Sequence, residues 1–242
     1  MNSLKNGSLI FATALTLSIS TAWADQESFS KELATMFRSA RKGISDNQDL
    51  INDASKGDKG LNSAKVLELM KSNYKDATKQ DLKMSGEAAA AKDALVAAIK
   101  AVMDEAQPLI NEQGKAFKGF LPAVFGGRVA NKFSASMEGK VRIKLTAPRE
   151  YVRNRANRPD DWESKVIEEM FRNAAYERGK AFAEAGQVDG KAAYRYILPE
   201  YYGESCLKCH GDPKGEIDIT GGKKEGAKLN DLGGAISVVV FN

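Results

Sequence analysis

The chain has 242 residues, 43% of them apolar, with 36 basic against 32 acidic side chains and a formal charge of +4. That length suits one sizeable domain or a domain with a helical extension, and with an ordinary apolar fraction disorder is not the default. The small charge excess is spread along the sequence with no basic arm, so no nucleic-acid partner is expected.

In chain order, residues 1–24 come first. One positive charge at Lys5 precedes an apolar run from Leu9 to Ile19, and Ala22-Trp23-Ala24 follows. These are the n-region, h-region and A-x-A cleavage site of a secretory signal peptide, with cutting expected after Ala24. Export to the periplasm follows. Cleavage removes Lys5 and leaves 35 basic against 32 acidic residues. No later segment has the unbroken apolar length of a membrane span, so none is expected after cleavage.

Residues 25–116 read as a helical region. Phe29, Leu33, Met36, Phe37, Ala40 and Ile44 recur at three- and four-residue steps over 26–50, which lines one helix face. After the break Gly57-Asp58-Lys59-Gly60, a second helix carries Leu61, Ala64, Leu67, Tyr74 and Ala77. Leu95, Ile99, Val102, Met103 and Ala106 make a third stripe over 87–107, and Pro108 is expected to interrupt it.

Residues 117–242 change character. A helical stretch bears Phe117, Phe120, Leu121, Val124, Phe125, Val129 and Phe133. Residues 141–146 alternate apolar and polar, the mark of a half-buried strand. A basic loop, 149–158, leads to Pro159, and Asp160 with Glu163 forms a capping box. The helix it opens, with Trp162, Val166, Met170, Phe171 and Ala174, is expected to run to about Gly186. A strand over 193–198 and a final strand over 234–241 follow, separated by glycine-rich turns. Helices first, then strands with helices between, give the fold class α+β.

Between those strands stands Cys206-Leu207-Lys208-Cys209-His210, which holds both cysteines and the single histidine of the chain. C-x-x-C-H is the attachment signature of a c-type haem. Both thiols add across the vinyl groups, and His210 is the proximal iron ligand. Scattered at random, two cysteines and one histidine would spell this motif roughly once in thirty thousand arrangements. A thioredoxin-like redox pair lacks the surrounding βαβ pattern and leaves the histidine idle. A structural zinc site lacks a fourth Cys or His ligand. A disulfide here would close a very small loop and stabilise little. One covalently attached haem c is the expectation.

Three stretches then resemble a known family: 153–163 (an RNxxNxPDxWE-like element, from Arg153-Asn154-Arg155 to Asp160-Asp161-Trp162-Glu163), Pro199 with 204–211, and 225–229 with 234–238. They are similar, in the same order, to the bacterial c-type haem domains with a PAS-like fold, the Tll-type haem sensor/cytochrome domains formerly of unknown function. The resemblance covers roughly residues 117–242. It implies an antiparallel sheet with flanking helices, one covalent haem, and a redox- or ligand-sensing role. Relatives can complete the iron with a cysteine from a helix upstream of the RNxxN-like element. Here the corresponding position is about Phe125, and no third cysteine exists. The sixth ligand is left open among Met70, Met103, Met137, a weaker donor, water or nothing, and methionines on helix faces are usually core.

Arg153 and Arg155 are candidate partners of the haem propionates, because guanidinium suits carboxylates; a solvated loop is the plainer alternative. Asn154 and Asn157 suit turns, Trp162 a core anchor, and Tyr201 and Tyr202 the haem edge. Two functions follow. The first is a periplasmic monohaem c-type cytochrome that senses redox state or a diatomic gas through a separate signalling partner. The second is a soluble monohaem electron carrier with a redox partner. No enzyme is expected: peroxide cleavage needs a distal acid/base, usually a histidine, and His210 is committed to the iron.

Overall fold

The computed structural model describes residues 14–86 and 88–241. The signal-peptide reading falls on residues of which 1–13 lie outside that range. Among the described residues no helix is long and apolar enough to cross a membrane.

The α+β class is borne out. Helices α1 (Ala14–Asp46), α2 (Gln48–Ile51), α3 (Ser63–Thr78), α4 (Ala89–Ile110) and α5 (Pro122–Ser136) precede strand β1 (Val141–Thr146). Then come α6 (Asp161–Val166), β2 (Phe182–Val188), β3 (Lys191–Tyr201), α7 (Glu204–His210) and β4 (Leu232–Phe241). The four strands form one antiparallel sheet in the order β1-β4-β3-β2.

The expected face of α1 is the observed one: Leu33, Met36, Phe37, Ala40 and Ile44 are all fully buried. They share a core with Leu95, Ile99, Val102 and Met103 of α4, with Phe125, Val129 and Phe133 of α5, and with one face of the sheet. Alternation sets that face. Tyr194, Tyr196 and Leu198 of β3 and Ile236 and Val238 of β4 point to the helices. Ile197 and Ala235 point the other way, against Val166, Ile167 and Phe171.

Several boundaries differ from expectation, each for a local reason. The first helix stops at Asp46 rather than about Leu50. Asn47 donates its side-chain amide to the Gly43 carbonyl (2.7 Å) and Gln48 to the Ile44 carbonyl (3.1 Å), satisfying acceptors that a helix end leaves open. In α3 the buried residues are Val66 and Met70, whereas Ala64 and Ala77 are exposed. Pro108 does not end α4, which continues to Ile110. So near the C-terminus the missing N–H removes one bond and little helix remains to be disrupted. Helix α5 starts at Pro122, not Phe117, with proline at its first turn and Leu121 extended before it.

The largest correction lies after Asp160. The capping box is present, with Asp160 accepting from the Glu163 N–H and Glu163 from the Asp160 N–H. But α6 loosens into one π turn, Ile167–Phe171, and stops. Residues 182–186, expected as the end of that helix, belong instead to edge strand β2 (Phe182–Val188). A two-residue turn dictates this. Asp189 and Gly190 both take positive φ (52° and 74°), the twist that joins antiparallel strands tightly, and Val188 pairs with Lys191.

Candidate haem-attachment site

Helix α7 carries the C-x-x-C-H motif and is fixed at both ends. Gly203 precedes it in extended conformation, and Gly211 closes it with its N–H on the Leu207 carbonyl. A Cβ at Gly211 would fall 2.6 Å from that carbonyl oxygen, so only glycine fits there. On its flank α7 is tied to the end of α1 and to α2: Ser205 Oγ lies 2.8 Å from Ser45 Oγ, and Lys208 Nζ 2.7 Å from Asp49.

Cys206 and Cys209 are half-buried free thiols. Burial, with a contribution from nearby Asp218, pushes the Cys209 thiol above its ordinary value. It is therefore a protonated thiol at neutral pH, unlike the acidic thiols of redox pairs.

His210 is held on two sides. The ring of Tyr202 stacks on the imidazole at 4.9 Å between centroids and 27° between planes. His210 Nδ1 lies 2.8 Å from Glu225 Oε2. With Nδ1 donating to the carboxylate, Nε2 is the nitrogen whose lone pair is open, the arrangement that orients a metal-ligating histidine. Tyr201, the other tyrosine singled out from the sequence, faces away: Arg178 covers its ring at 3.8 Å and its hydroxyl accepts from the Gly179 N–H.

The segment after the motif folds back onto it. The Ala227 N–H donates to the His210 carbonyl at 2.8 Å. Residues 215–224 form a small hairpin around Asp218, whose Oδ1 accepts from the Thr220 N–H (2.7 Å), the Thr220 hydroxyl (2.6 Å) and the Gly222 N–H (3.2 Å). Burial alone would raise the Asp218 carboxyl. The Thr220 and Arg153 hydrogen bonds outweigh that and hold it at about 2.

Arg153 joins these parts. Its Nη1 pairs with Asp218, its Nε reaches Glu225 Oε1 (3.0 Å), and its Nη2 reaches Glu225 Oε2 (3.1 Å). The same Nη2 donates to the carbonyls of Cys209 (2.9 Å) and Lys223 (3.1 Å). The guanidinium thus ties the motif, the hairpin and the histidine's carboxylate together. Gly222 permits the approach, since a Cβ there would lie 2.8 Å from Arg153 Nη1. Arg155 sits exposed on a short 3-10 turn, Arg155–Asn157. Asn154 caps that turn by accepting from the Ala156 N–H. Trp162 packs beside Phe182 on the far face of the sheet.

The sequence pointed to the motif but not to Glu225 and Asp218 as its supports; the available signal was Glu225 standing in one of the three resembling stretches. Met70 and Met103 are fully buried in the helical core and Met137 packs against its edge. Phe125 is fully buried, edge-on to Phe120 at 6.1 Å. Ile217 and Ile219, on either side of Asp218, are 59% and 61% exposed, an apolar surface beside the motif.

No curated protein and no solved structure matches this chain. A family model described as Tll0287-like does, over residues 25–240, taking in the helical region as well as the motif. With that extent matched, the chain belongs to the Tll0287-like family.

Proposed function

We propose that this protein is a periplasmic monohaem c-type cytochrome that senses redox state or a diatomic ligand and passes the signal to a separate partner protein, without enzymatic activity of its own. Membership of a haem-binding family supports the haem. The observation that carries the reading is the donor set. Two unpaired thiols stand one turn apart on α7, followed by a histidine whose Nδ1 is already taken by Glu225. The residues present therefore fit a covalent haem. Cys206 and Cys209 would hold it through thioethers, and His210 Nε2 would ligate its iron. When bound, the haem supplies a one-electron couple and, if its other face is open, a site for a diatomic gas.

The chain's own residues do the rest. Tyr202 fixes the plane of the imidazole, and Glu225 fixes its tautomer. Arg153 anchors the hairpin 215–224 that carries Ile217 and Ile219. These isoleucines are exposed and give that hairpin an apolar surface. Sensing is favoured by the bolts from α7 to the first helices, Ser205 to Ser45 and Lys208 to Asp49. A shift of the motif is thereby passed to α1, which packs against both the other helices and the sheet.

The second reading, a soluble electron carrier, draws on the partial exposure of both cysteines and the apolar surface beside them. Visible and resonance Raman spectra of the reduced protein, with and without CO or NO, separate the two. Sensing predicts a c-type α-band and an iron that takes up the gas. A six-coordinate low-spin iron indifferent to both gases would exclude gas sensing and favour electron transfer.

A further inference from the structure

We propose that Glu225 sets the donor strength of His210 and thereby holds the haem potential low, an inference that rests on the haem reading above. The carboxylate is placed for this by three independent restraints. Its Oε2 lies 2.8 Å from Nδ1. Its other contacts, from Arg153 Nε and Nη2 at 3.0 and 3.1 Å, grip both oxygens from the far side. The backbone two residues on is pinned to the histidine itself, by the Ala227 N–H on the His210 carbonyl. Between them Gly226 takes φ 76°, and a Cβ there would stand 2.8 Å from the Lys214 Cβ, so the chain passes close against residue 214. The Glu225 side chain is 9% exposed, which leaves little water to compete for the bond.

A carboxylate that accepts from Nδ1–H draws that proton toward itself and returns electron density to the ring. Nε2 becomes the stronger donor. A stronger proximal donor stabilises the ferric more than the ferrous ion, which lowers the reduction potential. Arg153 aims the carboxylate, and Asp218 on the same guanidinium takes Thr220 and Gly222 as its further partners. That geometry separates hydrogen-bond strength from simple charge. Glu225 and Asp218 carry the same charge on the same guanidinium, yet one of them bonds to His210.

The test compares Glu225→Gln with Asp218→Asn in the haem-loaded protein by spectroelectrochemical titration. The proposal predicts that Glu225→Gln favours the reduced form at least about tenfold at a fixed ambient potential, a rise of about 59 mV for a one-electron couple. Asp218→Asn should move the equilibrium by less than about a third of that. Equal shifts in the two variants, or none in Glu225→Gln, would overturn it. A second readout avoids the haem: 15N NMR of the chain expressed without haem maturation. His210 should be the Nδ1–H tautomer in the parent and lose that preference in Glu225→Gln; an unchanged tautomer would contradict the proposal. A parent chain that takes up no haem when matured would overturn the haem reading instead, and the tautomer result would still stand by itself.

Discussion

Replacing Arg153 by alanine is expected to destabilise the protein by about 3 kcal/mol, the lower end of the range for breaking a buried ion pair from one side. The substitution leaves the Asp218 carboxylate, which is fully buried, without its cation. It also strands the Cys209 and Lys223 carbonyls and frees Glu225 from its second anchor. The low end applies because Arg153 itself is about a third exposed (31%), so water replaces part of what is lost. Urea denaturation measures the difference, and a midpoint equal to that of the parent would show that the network is decorative.

Acid should expose the same cluster. Asp218 is held at about 2 against an ordinary 3.8. A carboxyl depressed on folding contributes stability that is complete above the unfolded value and is lost as pH falls toward the folded one. The parent should therefore lose about 2 kcal/mol of stability between roughly pH 4 and pH 2, and the Arg153→Ala protein less over the same interval, since the Thr220 bonds that also lower Asp218 remain. The two curves should draw closer at the acid end without meeting, because the Cys209 and Lys223 carbonyls stay stranded in the variant; parallel curves would place the depression elsewhere.

The second large effect concerns the thiols. In a Cys206→Ala, Cys209→Ala double variant, haem should be fully extractable into acid–acetone, because no covalent link remains. Each single variant keeps one thioether and should retain covalent haem at reduced yield. The fold should survive, since both side chains are only half-buried, form no disulfide, and lie outside the two hydrophobic clusters. Circular dichroism of the variants checks this. Covalent haem persisting in the double variant would place the attachment on other residues.

What could be read from the sequence was what repeats locally. The stripes on α1 and α4 and the alternation of β1 are periodic, and the capping box at Asp160 depends on a three-residue spacing, so each was found where expected. Strand β2 hid because it is an exposed edge built of Phe-Ala-Glu-Ala-Gly-Gln-Val, a composition that favours helix. Its one clear signal is Asp189-Gly190, a hairpin turn pair that follows a helix-like composition. The motif declared itself through residue type and spacing. Its support did not: Arg153 meets Glu225 across 72 residues and Asp218 across 65. Pairings at that separation leave no periodic trace. The sequence makes Arg153 a candidate partner of a haem carboxylate; the structure places its guanidinium between two protein carboxylates, Asp218 and Glu225. Arg155, picked out alongside it, is exposed on its turn.

The whole account turns on one covalent bond set, and weighing the intact protein tests it most directly. The full-length chain is expressed together with a cytochrome c maturation system, purified after export, and measured by mass spectrometry under denaturing conditions. The account predicts a polypeptide cut after Ala24 and heavier by one haem. A species with the mass of the bare polypeptide would contradict it.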